Sequence, residues 1–217
     1  MSLPTSILHQ SQDHAAAGGD NPVFTTCIAE DLVTHDWSYQ TNFVLAELVL
    51  TLDAECRARV TQGGLARAEV GRGKGQAVEA GIRGDYIQWL DAGQSAAGDH
   101  YLRIMETLWQ EINHTLYLGL EEFETHFAMY PPGTFYQKHT DRFCDDDRRT
   151  LSVILYLNPW WLPDYGGALC LHLRDAVHQD ILPLAGSLAL FLSAKIPHEV
   201  VAATRERLSL SGWFKRH

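Results

Sequence analysis

The sequence predicts a mainly β protein in which helices pack on one side of a double-sheet barrel. Two observations indicate this class. Strongly helical patterns are confined to the first half of the chain, and from about Glu122 onward short strand-like segments follow one another, separated by Pro, Gly or Asp turns. The length of 217 residues and the hydrophobic content of 46% suit a single domain with a sizeable core.

The chain begins with residues 1–21, which are rich in Ser, Ala and Gly and are predicted to form a mobile arm. A short helix is expected over Val23–His35. A stronger helix is expected over Phe43–Gln62, where Leu48, Leu52 and Val60 contribute to one apolar stripe and the following glycines end the helix.

Residues 65–82 are rich in Gly and charge, which predicts a mobile loop. A short strand is expected over Asp85–Leu90. Asp99 is then the predicted N-cap of a second strong helix, Tyr101 to about Leu118. Its apolar positions recur at helical spacing; they are Leu102, Met105, Trp109, Ile112 and Leu116.

The second half is predicted to contain eight short strands. In chain order they are ETHFAMY, TFYQKHTD, TLSVILYLN, ALCLHL, HQDILP, SLALFL, HEVV and RLSLSGWF. We therefore expect one domain over residues 22–217, with a helical part at 22–120 and a β core at about 121–217.

Charge and composition exclude several classes of protein. The net charge is −10, whereas nucleic-acid-binding proteins usually carry basic patches. No apolar run reaches the roughly 20 residues that a membrane helix needs, and the N-terminus lacks the pattern of a secretory signal. The four cysteines form no C-x-x-C pair and are expected to be reduced thiols. We expect a cytoplasmic protein that binds neither nucleic acid nor membrane.

A metal site is suggested by His139-Thr140-Asp141 and a later Pro197-His198-Glu199-Val200. Residues two apart on a strand point to the same face, so His139 and Asp141 can reach one ion. With His198 they would form two imidazoles and a carboxylate on one side of a metal, the arrangement of non-haem Fe(II) oxygenases. Taken alone, H-x-D is more simply explained as a surface histidine and a solvated aspartate, and only the rest of the pattern favours a metal. His126, His172 and His178 lack a comparable context and are not expected to be ligands.

A dicarboxylate site is suggested on the last strand. Alternation places Arg207, Ser209, Ser211 and Trp213 on one face and Leu208, Leu210 and Phe214 on the other. An arginine fork on a strand that faces a pocket can bind a carboxylate through two hydrogen bonds. Tyr156 can supply a hydroxyl to the same carboxylate. A surface arginine and a core tyrosine remain the alternatives from this pattern alone.

Together these motifs resemble a known family. From about Gly81 to Phe214 the chain is similar to the prolyl 4-hydroxylase branch of the Fe(II)/2-oxoglutarate oxygenases, and most similar to bacterial relatives of the oxygen-sensing prolyl hydroxylases of animals. The resemblance is carried by Ile82-Arg83-Gly84-Asp85 with Trp89, Tyr130-Pro131 with Gly133 and Tyr136, Tyr156-Leu157-Asn158, Gly166-Gly167-Ala168-Leu169, the two metal motifs, Arg207 and Trp213.

The resemblance implies a double-stranded β-helix, or jelly roll, with the N-terminal helices packed on one sheet. It implies Fe(II) on His139, Asp141 and His198, and 2-oxoglutarate as co-substrate; ascorbate is a further cofactor that it leaves open. Other implied roles are a hydrogen bond near the iron from Tyr136, a 2-oxoglutarate pocket with Arg207, Tyr156, Leu169 and Ser211, and a substrate loop at about 66–85 with Arg83 and Asp85.

The implied reaction is hydroxylation of a prolyl residue in a cytoplasmic protein, with O2 consumed and succinate and CO2 released. The carboxylate at Asp141 favours hydroxylation over halogenation, for which relatives carry a small residue there. A hydroxylase of a free amino acid or small metabolite is one alternative. A non-catalytic protein that responds to oxygen or 2-oxoglutarate by binding is another. The expected partners are a proline-containing protein or peptide and O2, and the expected state is a monomer or weak dimer.

Overall fold

The structure is a computed structural model and describes residues 22–69, 78–79, 81–142 and 147–217. The mobile arm predicted at 1–21 lies outside the described residues, as do residues 70–77 and 80 of the predicted loop. No helix in the described part of the chain is long and apolar enough to cross a membrane.

Three α-helices lie in the first half of the chain: α1 (Pro22–His35), α2 (Ala46–Thr61) and α3 (Ala96–Leu116). Helix α2 begins three residues later than predicted, because the amides of Phe43 and Val44 donate to the carbonyl of Gly186 and tie this segment to the barrel. The predicted N-cap of α3 is wrong. Ser95 caps the helix by accepting from the amide of Gly98 at 2.9 Å, whereas Asp99 accepts from the amide of Gly93.

The described residues contain eleven strands. In chain order they are β1 (Trp37–Gln40), β2 (Ala66–Arg67), β3 (Tyr86–Trp89), β4 (Leu120–Tyr130), β5 (Tyr136–His139), β6 (Arg149–Tyr156), β7 (Leu169–His172), β8 (His178–Ile181), β9 (Leu188–Leu192), β10 (His198–Val200) and β11 (Arg207–Arg216). All eight predicted strands of the second half are present. Strand β1 was not predicted, and β2 lies where the sequence predicted a loop.

The strands form two antiparallel sheets. The major sheet has the order β1-β9-β6-β11-β4-β3-β2, and the minor sheet has the order β5-β10-β7-β8. Strand β11 lies in the middle of the major sheet, paired with β4 on one side and β6 on the other. The two sheets face each other as a jelly roll with helices on the outer side of the major sheet, which confirms the expected fold class.

Alternation along β11 divides the hydrophobic residues into two clusters. Leu208, Leu210 and Phe214 are buried with residues of the three helices. The inner faces of the two sheets contribute a second cluster that includes Tyr156, Leu169 and Phe191. The major sheet therefore has one face covered by helices and one face that lines the interior of the barrel, where the predicted site residues lie.

Candidate active site

The predicted metal ligands meet at one end of the minor sheet. His139 ends β5 and His198 begins β10, and the two residues are directly opposite each other in the antiparallel pair. Asp141 follows β5 by two residues. The Nε2 atoms of His139 and His198 lie 3.4 and 3.6 Å from the two carboxylate oxygens of Asp141, and one ligand atom from each residue lies within 4.8 Å of the others.

Backbone carbonyls orient both imidazoles. Nδ1 of His139 lies 2.7 Å from the carbonyl oxygen of Gln137, and Nδ1 of His198 lies 3.2 Å from that of Ile196. A carbonyl oxygen can only accept, so Nδ1 carries the proton in each ring and donates. The Nε2 lone pairs are thereby left for a metal, which is the usual arrangement of metal-binding histidines.

The carboxylate of Asp141 is held by a chain of hydroxyl groups. Ser152 donates to Oδ2 of Asp141 at 2.6 Å, and the hydroxyls of Ser152 and Ser193 lie 2.9 Å apart. Burial by itself would raise the pKa of Asp141, but the two histidines and Ser152 outweigh it and hold that pKa far below its usual range. Burial lowers the pKa of His198. The site therefore presents an ionised carboxylate beside the two imidazoles.

Aromatic rings enclose the two histidines. The ring of Tyr136 stacks on that of His139, with centroids 3.6 Å apart and an interplanar angle of 19°. The ring of Phe191 lies 4.6 Å from that of His198. These contacts restrict rotation of the imidazoles and shield one side of the site from water. Tyr136, which was predicted to lie near the metal, therefore packs directly on His139, one of the predicted metal-binding residues.

An arginine without a carboxylate partner lies deeper in the same cavity. Arg207 is only 2% exposed. Its Nε donates to the carbonyl of Gly167 at 2.9 Å, and its guanidinium lies 5.2 Å from the ring centroids of both Tyr130 and Tyr156. No carboxylate of the described residues pairs with it. Because an isolated buried charge is costly, this cation favours an anionic ligand.

The other residues predicted around that anion lie beside Arg207, as Tyr156 does, or line its cavity. The hydroxyl of Tyr156 is buried and has no hydrogen-bond partner among the described residues. Leu169 and Ser211 line the same cavity of about 340 Å³. This cavity extends from the triad of His139, Asp141 and His198 to Arg207. A buried cation and an orphaned hydroxyl fit one carboxylate of 2-oxoglutarate, and the triad leaves room for its other end. The residues present therefore fit both the metal and the co-substrate.

Arg83 and Asp85, predicted for the substrate loop, form part of the cavity wall. They make a bidentate ion pair at 2.6 and 2.9 Å, with Asp85 only 1% exposed. The backbone of Arg83 is bridged to that of Tyr136, and its guanidinium lies 4.8 Å from the Tyr136 ring. This ion pair fixes one rim of the opening above the triad.

Several residues that line the cavity were not predicted to belong to the site. Ser152 was missed, although it shares a face of β6 with Tyr156. The guanidinium of Arg149 lies 3.4 Å from the ring centroid of Trp213 and pairs with Glu124 at 2.9 Å. Strand alternation could have placed Ser152 on the inner face with Tyr156. It would have placed Arg149 on the outer face, whereas a register shift in the pairing of β6 with β11 brings Arg149 to the cavity side.

His126 is a further buried residue of this wall. It lies between the rings of Trp89 and Trp213, at 5.0 and 5.6 Å. Its Nδ1 is buried without a hydrogen-bond partner among the described residues. Burial, and then the charge of Arg83, lower the pKa of His126 to about 3. It is therefore a neutral polar group in an aromatic setting, outside the group formed by His139, Asp141 and His198.

The chemistry of the triad is that of a metal with open positions. First-row divalent ions take nitrogen and oxygen ligands at about 2.0–2.2 Å, which places neighbouring ligand atoms roughly 3 Å apart. The separations of 3.4 and 3.6 Å suit such an ion with little movement. Two histidines and one carboxylate, grouped on one side, are typical of non-haem Fe(II) oxygenases.

Comparison with protein families agrees with this geometry. Residues 125–215 match the 2OG-Fe(II) oxygenase superfamily. That range contains all three residues of the triad and Arg207.

Solved structures give a finer comparison. A prolyl-4-hydroxylase from Pseudomonas putida is 52% identical, with 89% of this chain and 99% of that chain covered and a TM-score of 0.82. A prolyl hydroxylase from Trichoplax adhaerens, in complex with a peptide fragment of the hypoxia inducible factor, is 26% identical, with 89% of each chain covered and a TM-score of 0.79. A prolyl 4-hydroxylase from Phytophthora capsici, 17% identical, covers 87% of this chain and 61% of its own with a TM-score of 0.70, and shares the fold.

Proposed function

Because the chain belongs to the prolyl 4-hydroxylase family of the 2OG-Fe(II) oxygenases, we propose that it hydroxylates a prolyl residue in a cytoplasmic protein. As a member of this family it is a dioxygenase that uses Fe(II) and 2-oxoglutarate. The observation that carries the proposal is the 52% identity to a prolyl-4-hydroxylase over 89% of the chain.

The residues of the cavity have distinct roles in this proposal. His139, Asp141 and His198 hold the iron, which when bound supplies the oxidative chemistry that couples decarboxylation of 2-oxoglutarate to hydroxylation. Arg207 and Tyr156 bind the distal carboxylate of 2-oxoglutarate. Leu169 and Ser211 line its pocket, and Tyr136 holds the ring of His139 in place. Residues 22–217 form the oxygenase domain, with α1–α3 supporting the major sheet.

The opening of the cavity supports a peptide as substrate. Trp213 and Tyr136 present aromatic rings there, and the Arg83–Asp85 ion pair forms one rim. A pyrrolidine ring packs well on aromatic faces, whereas the polar rim can bind the peptide backbone on either side of it. The relative from Trichoplax adhaerens binds a peptide fragment, and the similarity to it covers 89% of this chain.

The test is hydroxylation of proline-containing peptides by purified protein supplied with Fe(II), 2-oxoglutarate and O2. Mass spectrometry and amino-acid analysis should detect 4-hydroxyproline, with succinate formed in equal amount. The same peptides with Ala in place of Pro, and the Asp141→Ala variant, are the matched controls. Reactions with and without ascorbate test whether it is required, and gel filtration of the same sample tests for the expected monomer or weak dimer.

Two other functions give different results in this assay. A hydroxylase of a free amino acid or metabolite would form succinate with the small molecule and leave every peptide unmodified. A binding protein without catalysis would bind 2-oxoglutarate and form no succinate with any substrate. Either result would contradict the proposal.

A further inference from the structure

The outer face of the minor sheet carries a second group of metal-ligating side chains. Residues opposite each other in an antiparallel pair share a face. Leu169, Leu171 and Ile181 point into the barrel, so their neighbours along β7 and β8 point outward. The outward residues are Cys170, His172, His178 and Asp180, joined from β10 by Glu199.

Three of these residues already lie at ligand spacing. One ligand atom each from Cys170, His172 and Glu199 lies within 4.8 Å of the others, the same limit that the His139 triad meets. Nε2 of His172 is 2.9 Å from Oε1 of Glu199. Ligand atoms on a tetrahedral ion of the zinc class are roughly 3–4 Å apart. The group therefore needs little rearrangement to close on an ion.

We propose that Cys170, His172 and Glu199 bind a transition-metal ion of the zinc class, with the carboxylate of Asp180 in place as a fourth ligand. Thiolate, imidazole and carboxylate together are a donor set that zinc accepts. Asp180 is directly opposite Cys170 in the β7–β8 pair. This site is separate from the iron site and independent of the proposed prolyl substrate.

Exposure allows an ion to reach this group. Cys170 is 7% exposed and lies at the base of the group, whereas the side chains of His172 and Glu199 are 27% and 37% exposed at its rim. Burial and the charge of Asp180 raise the pKa of the Cys170 thiol to about 11, so the free thiol is protonated at neutral pH. Binding forms the metal–sulfur bond and releases the thiol proton to water.

The position of the site gives the ion a structural role. Glu199 and His198 are adjacent on β10 and point to opposite faces of the sheet. Cys170 and Glu199 are opposite each other in the β7–β10 pair, as are Leu171 and His198. An ion that joins β7 to β10 on the outer face would therefore hold the strand that carries the iron ligand His198 on the inner face.

The test uses Co²⁺ as a spectroscopic probe, because a thiolate bound to Co²⁺ gives a sulfur-to-metal charge-transfer band in the near ultraviolet. The triad of His139, Asp141 and His198 contains no sulfur and cannot give this band. We expect the band in the wild-type protein and in Asp141→Ala, and its loss in Cys170→Ser. The exposed, unpaired Cys27 provides the matched control, since Cys27→Ser should retain the band.

Stoichiometry and affinity complete the test. Wild-type protein should bind one more equivalent of Zn²⁺ than Cys170→Ser, and Zn²⁺ should raise the Tm of Asp141→Ala but not that of the double variant with Cys170→Ser. His172→Ala keeps the thiol and should weaken Co²⁺ binding at least tenfold. A wild-type protein without the band, or a band that persists in Cys170→Ser, would overturn this site and leave the iron site and the hydroxylase assay unaffected.

Discussion

Replacement of Arg207 by Ala should chiefly weaken binding of 2-oxoglutarate. Arg207 is buried, has no carboxylate partner among the described residues and faces the cavity next to the orphaned hydroxyl of Tyr156. A hydrogen bond to a charged group contributes about 1.5–3 kcal/mol, so a two-bond fork contributes about 3–6 kcal/mol. At about 1.4 kcal/mol for each factor of ten, the KM for 2-oxoglutarate should rise roughly 10²–10⁴-fold.

The assay is succinate formation against 2-oxoglutarate concentration, together with direct binding of 2-oxoglutarate in the absence of O2. Arg205→Ala is the matched control, because Arg205 is two residues away, exposed, and packed over the rings of Trp161 and Tyr165. Arg207→Lys keeps the charge but loses the planar fork, so its KM should fall between those of wild type and Arg207→Ala.

Loss of packing has to be separated from loss of the carboxylate contact. Arg207 also donates to the carbonyl of Gly167 and lies beside the rings of Tyr130 and Tyr156, so Arg207→Ala should also lower the Tm. If kcat falls while the KM for 2-oxoglutarate remains that of wild type, Arg207 supports the fold and does not bind the co-substrate, and the reasoning is refuted.

Four further variants test other parts of the site. His198→Ala should fold but lose the weak visible charge-transfer band that Fe(II) and 2-oxoglutarate give anaerobically; a retained band would remove His198 from the metal site. Ser152→Ala should lower Fe(II) affinity roughly 10–100-fold, because it frees a ligand carboxylate, and Ser193→Ala, one hydroxyl further away, should have a smaller effect in the same titration. His126→Phe should make the protein less sensitive to acid: the folded pKa is about 3 against 6.5 unfolded, so wild-type stability falls as pH decreases below 6.5, by about 2 kcal/mol at about pH 5. Denaturant unfolding of wild type and His126→Phe between about pH 5 and 7 measures this difference in the free energy of unfolding. If that free energy depends on pH in the same way in both proteins, His126 is not the group that loses stability in acid.

The sequence predicted most of the fold because alternation is a local signal. Strand β11 shows this directly, since its leucines and its polar residues separate onto the two faces as expected. The unpredicted strands are short: β1 has four residues and β2 two. Each is defined by its pairing with a strand distant in sequence or across a loop, β1 with β9 and β2 with β3. The cap of α3 was assigned to Asp99 although Ser95 has the same capping chemistry, and only the backbone geometry decides between them.

The residues of the candidate site could be predicted where they lie close together in the sequence or within a distinctive motif. His139 and Asp141 are two residues apart, and His198 has a distinctive local context. The contact between Ser152 and Asp141 could not be predicted from the sequence. Alternation along a strand predicts which face of the sheet a side chain lies on, but not which residue it contacts. The pairing of Cys170 with Glu199 joins strands that are far apart in sequence, so neither residue suggested a site until the sheet register was known.

The helices explain why the cavity can be polar. Leu208, Leu210 and Phe214 pack with α1–α3 on the outer side of the major sheet, which removes a large apolar area from water and supplies much of the stability of the fold. The inner face is therefore free to carry small hydroxyl residues such as Ser152 and Ser209, and these leave space beside the metal ligands. Buried hydroxyls are mostly hydrogen-bonded. Ser152 bonds to Asp141 and lies beside the hydroxyl of Ser193, and Ser209 lies beside the hydroxyl of Ser211. The bond from Ser152 also holds the carboxylate of Asp141 in place, so the polar interior that opens the cavity helps to position the site.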